Sequence, residues 1–543
     1  MAVSRLLAFV RAKPGRSASI AAFAILTIIA LVTFRSYGIS NDEEVQQTYG
    51  ELLLRFYASG FTDDNAFHYR NLYLYGGLFD LIAAGIGQHL AMPTYEWRHL
   101  LSAIVGLVGM WGTWRLTRLL SSDAWGCFAV VLLAATGSWW GPLFNETKDI
   151  SFAAAMIWVT YYSARIAPQL PNPRLRHVIG LGAALGCALG LRIVAVYAGL
   201  ELVVLVIVAA LAPNGGAAAF AKRLGTSVWR LLPAGGVALA IMAVAWPWSV
   251  FAPLNVLVAI DTFSRFPINM LTRLDGVVMK AANVPRWYLP IYLLVRLPEL
   301  TLFGVVIGAI SGLFRTARGS LEGLHALRLL PVVLAVAVPL GHAILTKPVL
   351  YNGIRHYMFL LPPITVLATI GLRAAFRLIE ERAGRRAGQG FVGLCGAAWL
   401  YHAIVLVILH PYETVAYNVF AGGVSGAVGK YEFDYHGNSI REAAIRLSQM
   451  VAEEEENGLR DPRFGPPYRV AVCAELIQAD EYLSSTFRVT TNWLNADFFI
   501  SPIQDGCENV LVGNPIIKIE RMGATIGVVK DRRYLTRGAV QTP

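Results

Sequence analysis

Apolar residues gather in runs of about 20 along most of this chain, separated by short polar turns, from Ala18 as far as Leu409. A hydrocarbon layer about 30 Å thick takes roughly 20 helical residues to cross, so windows of that length predict transmembrane helices. About eleven are found, near 18–37, 98–117, 124–142, 150–167, 177–192, 194–212, 229–251, 298–314, 329–346, 357–378 and 391–409. The fifth and sixth form one apolar run interrupted by Arg192, too long for a single crossing and so divided into two. From His410 the pattern turns polar. There "YRVAVCAELIQADEYLSSTFRVTT" reads as strand, helix, strand, followed by "ADFFISPI" and a hairpin "IIKIERMGATIGVVKD" turning at Met522 and Gly523. The predicted fold is a polytopic α-helical membrane protein: a membrane part over residues 1–409 and a small α/β domain over 410–543, about 130 residues and enough for a modest core. "VAEEEENGLRDPRFGPP" reads as a solvated linker or helix end, and no internal repeat is apparent.

Composition agrees. The chain is 56% hydrophobic and 15% charged, where soluble domains carry nearer a quarter charged residues. Its net charge of +11 changes meaning once its distribution is seen. Counting alternate connections from an inside N-terminus, starting with Arg5, Arg11, Lys13 and Arg16, gives 20 bases against four acids: Asp123, Glu322, Glu380 and Glu381. The first connection on the other side, residues 38–96, has eight acids and two bases. Basic loops stay in the cytoplasm, which predicts the N-terminus inside and the C-terminal domain outside. The basic excess is therefore topogenic, and a nucleic-acid-binding reading, which needs a basic face on a soluble domain, has no support. The basic-then-apolar first 35 residues are read as a retained helix, because no small-residue cleavage site ends the run. Within residues 38–96, "NLYLYGGLFDLIAAGIGQHL" is read as lying at the interface, and "VPRWYLPIYLLVRLP" as an interfacial helix start. Five cysteines are too few for a disulfide framework; Cys473 and Cys507 are both expected outside, either bonded or as small hydrophobes.

Candidate chemistry gathers on the predicted outer face. "SNDEE" puts Asp42, Glu43 and Glu44 where the chain leaves the first helix. Ser40 or Asn41 capping a helix with acids in its first turn explains the stretch structurally, while a carboxylate at the membrane surface also suits a general base toward a hydroxyl. "GPLFNETKDISFAAAMIW" crowds Asn145, Glu146, Lys148 and Asp149 into the turn between the third and fourth helices. There Asp149 serves either as a helix cap beside a snorkelling Lys148 or as part of a site. Arg192, and Arg355 with His356 in "YNGIRHYMFLLPPI", reach the same face, as interfacial snorkels or as anion ligands, and Glu201 is read as a plain partner of Arg192. The segment "YEFDYHG" is read as packing between the membrane and soluble parts.

In order and sidedness, these pieces together with "YEWRHLLSAIVGLVG", "LGLRIVAVYAG" and "HPYETVAYNVFAGGVSGAVGKYEFDYHG" make the chain resemble the GT-C superfamily of glycosyltransferases that use polyprenyl-phosphate sugars. The likeness is to the protein O-mannosyltransferase-like (glycosyltransferase family 39-like) branch, which includes the lipid A aminoarabinose transferase, and it covers about three quarters of the chain. Relatives usually read Asn-Pro-Lys-Asp-Ile-Pro at the second turn; this chain keeps Lys148 and Asp149 and lacks both prolines. The resemblance implies a GT-C-like fold in a bacterial inner membrane, with the C-terminal domain periplasmic. It also implies inverting transfer of a sugar from a polyprenyl-phosphate donor to a hydroxyl acceptor in the cell envelope: a protein, lipid A or another glycan. Asp42 would be the base with Glu43 as its alternate, Asp149 would orient Lys148 or the acceptor, and Lys148, Arg192, Arg355 and His356 would bind the donor phosphate. A divalent cation is used by some members, and no ligand spacing here predicts one. A lipid-linked-sugar transporter or flippase, and an inactive membrane scaffold, are the competing classes.

Overall fold

A computed structural model describes residues 12–211, 215–264, 269–318, 323–459 and 464–536. Arg5, Arg11, Glu322 and residues 460–463 of the acidic linker lie outside the described residues. The principal helices of the membrane part are α1 (Pro14–Thr33), α2 (Glu43–Ala58), α3 (Leu78–Gly87), α4 (Thr94–Leu120), α5 (Asp123–Ala134), α6 (Thr147–Ile166), α7 (Leu175–Leu189), α8 (Val196–Leu211), α9 (Ala217–Ala245), α10 (Tyr288–Arg296), α11 (Glu299–Ala317), α12 (Gly323–Thr346) and α13 (Leu361–Leu409).

Every one of the eleven apolar windows coincides with helix, yet fewer helices have the length and composition to cross a bilayer. Among the described residues seven do, or eight when α5 and the short helices after it, bent by 80°, are taken as one span. Three causes account for the difference. The last two windows are the arms of α13, which breaks at Gly384, where φ is +83°. Helix α7 has only 15 residues. Helix α6 is walled in by protein on nearly every side, so it carries Lys148, Asp149, Ser151, Thr160 and Ser163 without exposing them to lipid. The outermost helices show the converse. On α1, Ile20, Ile25, Ile28 and Val32 face outward with nothing packed on them, the exposure expected of side chains that meet acyl chains. The chain is thus a multi-pass membrane protein. The interfacial reading of α3 suits its 10 residues and outward Ile82 and Ile86. Helix α10 differs from expectation: Tyr288, Leu289 and Tyr292 are fully buried, because a hairpin absent from the sequence reading, β1 (Leu271–Leu274) and β2 (Val277–Lys280), and the chain near Tyr431 cover them.

With no hydrophobic drive between helices in lipid, backbones must approach closely to gain dispersion energy, and small residues permit it. Gly106, Gly109 and Gly112 of α4 line a stripe against α6; a methyl group on Gly109 would sit 3.0 Å from Ala154. Gly182 and Gly186 of α7 do the same against Ala234 and Ala238 of α9, and Gly304 of α11 against Ala368 and Gly371 of α13.

In the C-terminal region the strands fall where the sequence predicts them, while the long helix before them is absent from the sequence reading. Helix α14 (Ser439–Glu456) buries Ile440, Ala443, Ala444, Leu447 and Val451, one stripe at helical spacing. That stripe packs on a sheet of β3 (Tyr468–Val472), β4 (Phe487–Val489), β5 (Phe498–Pro502), β6 (Asn514–Arg521) and β7 (Ala524–Asp531), in the order β4-β3-β5-β7-β6. Strand β3 runs parallel to both neighbours, and β7 antiparallel to β5 and β6. The β6–β7 turn is Met522 and Gly523, both with positive φ, as a two-residue hairpin with the sheet's twist requires. Cys473 and Cys507 are bonded to each other.

The glycine contacts yield a paired prediction. A methyl on Gly371 would lie 2.0 Å from the Gly304 carbonyl oxygen, whereas one on Gly312 would meet nothing within 4 Å. Gly371→Val is expected to cost upwards of about 3 kcal/mol, the top of the overpacking range. Thermal melts in detergent should show that loss, with Gly312→Val within about 0.5 kcal/mol of wild type.

Candidate active site

The loop leaving α1 is fastened before it reaches Asp42. Tyr37 stacks on Phe144 with ring centroids 4.0 Å apart and donates a hydrogen bond to Glu413 at 2.9 Å. Asn145 donates to the Gly38 carbonyl at 3.0 Å, and the Ser40 hydroxyl donates to the Asn145 carbonyl at 3.1 Å. Asn41 donates to the Tyr435 carbonyl at 2.9 Å. From the C-terminal region, Gln478 donates to the carbonyls of Ile39 (2.6 Å) and His436 (2.8 Å). The loop after α1, the turn before α6 and the segment 435–438 therefore form one bonded unit around Asp42.

Within it, Arg355 is the meeting point. It reaches this position through a turn at Asn352 and Gly353, both with positive φ, where Gly353 donates its amide hydrogen to the Tyr288 hydroxyl at 3.1 Å. The guanidinium pairs with Asp42, with Asp149 at 3.1 Å and with Glu146 at 3.3 Å. Asp149 also holds Arg192 at 2.5 Å. Arg192 follows the end of α7, which is clamped where Leu78 and Gly77 donate to the carbonyls of Gly190 and Ala245 at 3.0 and 2.9 Å. A methyl on Gly76 would collide with that Gly190 oxygen, so the absence of a side chain at Gly76 permits this approach. Tyr75, beside it, lies under the Lys148 ammonium at 4.6 Å.

A second buried chain supports the first. Lys148 faces Asp80 at 4.0 Å, Asp80 accepts from Arg98 at 2.9 Å, and the Arg98 Nε lies 3.9 Å from Glu43. Glu43 is fully buried, accepts from the Ser40 amide at 2.8 Å and lies 3.1 Å from His99 Nε2. The "SNDEE" stretch therefore divides. Glu43 turns inward as a helix-starting and ion-pairing residue, and Asp42 turns toward the cations. His356 packs edge-on against Tyr351, with centroids 4.6 Å apart. Glu201 does not pair with Arg192 as its sequence reading had it. Arg192 is taken by Asp149, and one Glu201 carboxylate oxygen is buried without a partner.

Several members of the cluster were given no role in the sequence analysis. Glu146 receives Arg355, the Tyr435 hydroxyl at 3.1 Å and His436. "YEFDYHG" thus contributes Tyr435 and His436 directly to the ion network, beyond packing. Asp80, Arg98 and His99 were also missed. The available signal was an arginine and histidine opening an apolar helix, which need a buried partner.

Exposure separates the carboxylates. The Asp42 side chain is 40% exposed, against 3% for Asp149 and 2% for Glu146. Asp42 is thus the carboxylate an incoming group meets first. Among the described residues no group of three His, Cys, Asp or Glu side chains is arranged to hold a metal. The carboxylates of Asp42, Glu146 and Asp149 are committed to guanidinium partners, a set suited to side-chain cations.

No protein-family model matches the sequence, and no curated protein matches it. Among solved structures the chain is similar to ArnT from Cupriavidus metallidurans bound to undecaprenyl phosphate, at 13% identity over 94% of this chain and 97% of that one, with a TM-score of 0.47. It is also similar to the apo oligosaccharyltransferase of Archaeoglobus fulgidus, at 12% identity over 88% of this chain and 65% of that one, TM-score 0.45. A third likeness is to the arabinofuranosyltransferase AftD from Mycobacteria, at 13% identity over 94% of this chain and 39% of that one, TM-score 0.43.

Burial pushes the Asp42 carboxyl up, and the Arg355 guanidinium, with His436 and Lys148, more than offsets this and holds it below the usual aspartate range. It therefore stays ionised to a lower pH than a free aspartate, and removing Arg355 takes away the largest influence that holds it down. Infrared titration, with Asp42→Asn subtracted to isolate the Asp42 carboxyl band, should find it protonating at a lower pH in wild type than in Arg355→Gln, and an unchanged midpoint would contradict the pairing.

Proposed function

We propose that the protein is a membrane glycosyltransferase that moves a sugar from a polyprenyl-phosphate donor to a hydroxyl acceptor, with inversion at the anomeric carbon. The observation that carries this reading is an apolar groove whose wall includes Ser151 and Leu191, near neighbours in the chain of Lys148 and Arg192. It measures about 530 Å³, runs between α3, α4, α6 and α7, and is lined by Leu78, Val105, Trp111, Ala154, Trp158 and Leu191 among others. Ser151, also in its wall, lies three residues after Lys148 on the same face of α6, and Leu191 immediately precedes Arg192. Ile82, Val108 and Trp111 are part-exposed at the groove's side, which opens it toward lipid. A polyprenyl chain entering from the bilayer and lying in this groove would bring its phosphate to Lys148 and Arg192.

In this reading the acceptor hydroxyl attacks the anomeric carbon as the bond from that carbon to the phosphate oxygen breaks. Asp42 takes the hydroxyl proton, and polyprenyl phosphate leaves. Lys148, Arg192 and Arg355 face the charge that develops on the leaving phosphate; donors fixed in advance in a water-poor site stabilise such charge most. The arriving phosphate competes with Asp42 for Arg355, and the carboxylate so released becomes a better base when donor is present. Asp149 and Glu146 keep Arg192 and Arg355 aimed. Glu43 is spent on His99 and Arg98 and has no part in the chemistry, and His356 lines the site beside Tyr351. The basic loops put this end of the bundle outside the cytoplasm, with the C-terminal region, taken as a domain over 410–543, on the same side. The acceptor is an envelope hydroxyl reached from water past Asp42.

Purified protein offered a panel of radiolabelled polyprenyl-phosphate sugars with envelope fractions should move one label. With that donor, Asp42→Asn should lower the transfer rate by about 10²–10⁴, the usual worth of a general base, while donor binding is kept or tightened because the phosphate no longer competes with a carboxylate for Arg355. Transfer at the wild-type rate by Asp42→Asn would remove the carboxylate from the mechanism, and the absence of transfer with every donor would remove the reading.

A further inference from the structure

At the opposite end of the same helices lies a second pocket, of about 340 Å³, that the transfer reaction does not use. Its polar wall is Arg165 at the end of α6, Gln169 just beyond, Arg174 and His177 at the start of α7, and Arg328 near the start of α12, with Leu119 and Leu324 as apolar edges. Arg165 donates through Nη2 to His177 Nε2 at 3.1 Å, so that nitrogen carries a lone pair and the ring is neutral. The other ring nitrogen, Nδ1, lies 3.2 Å from Gln169 Oε1 and fits as its donor. Three guanidinium groups therefore share the pocket. Among the described residues none of the three has a carboxylate partner within ion-pair distance. The Nε atoms of both Arg165 and Arg328 are buried without any hydrogen-bond partner.

A basic loop facing water needs no such arrangement, since its guanidinium groups are satisfied by solvent. Here two N–H groups are closed off from water and unpaired, which costs free energy until an acceptor arrives, and the like charges around them repel one another. The missing partner is an anion with several oxygens, because the guanidinium fork matches phosphate geometry and accepts it through paired bonds. We infer that the pocket formed by Arg165, Arg174 and Arg328 binds a phosphate group, either the headgroup of an anionic phospholipid or a free phosphate. Basic pockets between helix ends at the membrane surface are suited to headgroups, and Leu119 and Leu324 offer apolar surface where acyl chains would begin.

The full-length protein in phosphatidylcholine nanodiscs provides the test, with thermal stability followed as phosphatidylglycerol is added to the discs or inorganic phosphate to the buffer. A saturable rise in melting temperature with phosphatidylglycerol alone identifies a lipid headgroup, and one with phosphate as well identifies a free anion; either supports the site. Arg165→Gln/Arg328→Gln should weaken the apparent affinity by about tenfold for each charge-assisted bond lost. Arg382→Gln/Arg385→Gln, which changes two arginines outside the pocket, should respond as wild type. Should the pocket variant fail to fold, Arg174→Gln at the exposed rim must show the same weakening. No saturable shift with either probe, or pocket variants that respond as wild type, would overturn the inference.

Discussion

Arg355 stands where three carboxylates from two separate parts of the chain converge, and the remainder of the site is arranged around keeping it there. Asp42 comes from the loop after α1, while Glu146 and Asp149 come from the turn opening α6. Such a group is expensive to bury alone and stable only when paired; deleting one partner of a buried ion pair costs about 3–5 kcal/mol. The network therefore fixes where α1, α6 and α13 meet. It also holds the site in a state of stored attraction, since a guanidinium shared by three carboxylates can exchange one of them for a phosphate without leaving its place. The most exposed of the three, Asp42, is the one free to be exchanged.

The membrane supplies the complementary constraint. Helix α6 is enclosed by α4, α7, α12 and α13, so its charged N-terminus is shielded from lipid while its apolar flank, from Ala154 to Tyr162, borders the groove. One helix thus carries an ionic end and an apolar side, an arrangement that matches an amphiphile with a charged head and a long hydrocarbon tail. The C-terminal region closes the ionic end from above: Tyr435 and His436 reach Glu146, and Gln478 clips the Asp42 loop. Its sheet packs on α14 in a core continuous with that of the membrane part, and the segment leading to them is part of the ion network.

What could be read in the sequence followed physical scale. Bilayer thickness imposes a length on apolar runs, so all eleven windows proved helical, and the strand runs with the turn at Met522 and Gly523 were equally legible, whereas α14 was not read. The number of crossings was harder to read, because α6 is shielded by protein rather than lipid and because Gly384 joins two arms into one α13. In the site, Asp42, Lys148, Asp149, Arg192 and Arg355 stood out since charge is rare beside apolar spans; the structure joins Asp42, Arg355, Asp149 and Arg192 through ion pairs, with Lys148 in the neighbouring chain through Asp80. Glu43 was indistinguishable from Asp42 by position. Only the fold shows that His99 and Arg98, more than 50 residues away, draw it inward. Asp80 and His436 were hidden for the same reason: their partners are distant in sequence, and pairing across such distances leaves no local pattern. The β1–β2 hairpin, two strands of four residues each, is too short for alternation to declare itself.

The central claim is that the cations at Lys148, Arg192 and Arg355 receive a lipid-borne phosphate and in doing so release Asp42. A cryo-EM structure with a non-hydrolysable polyprenyl-phosphonate sugar bound tests it most directly. The account predicts phosphonate oxygens within about 3.2 Å of at least two of these three cations, the prenyl chain in the groove beside Trp111 and Trp158, and the Asp42 carboxylate parted from Arg355 and turned toward the anomeric carbon. A phosphonate bound elsewhere on the bundle, with the Arg355–Asp42 pair unbroken, would contradict it.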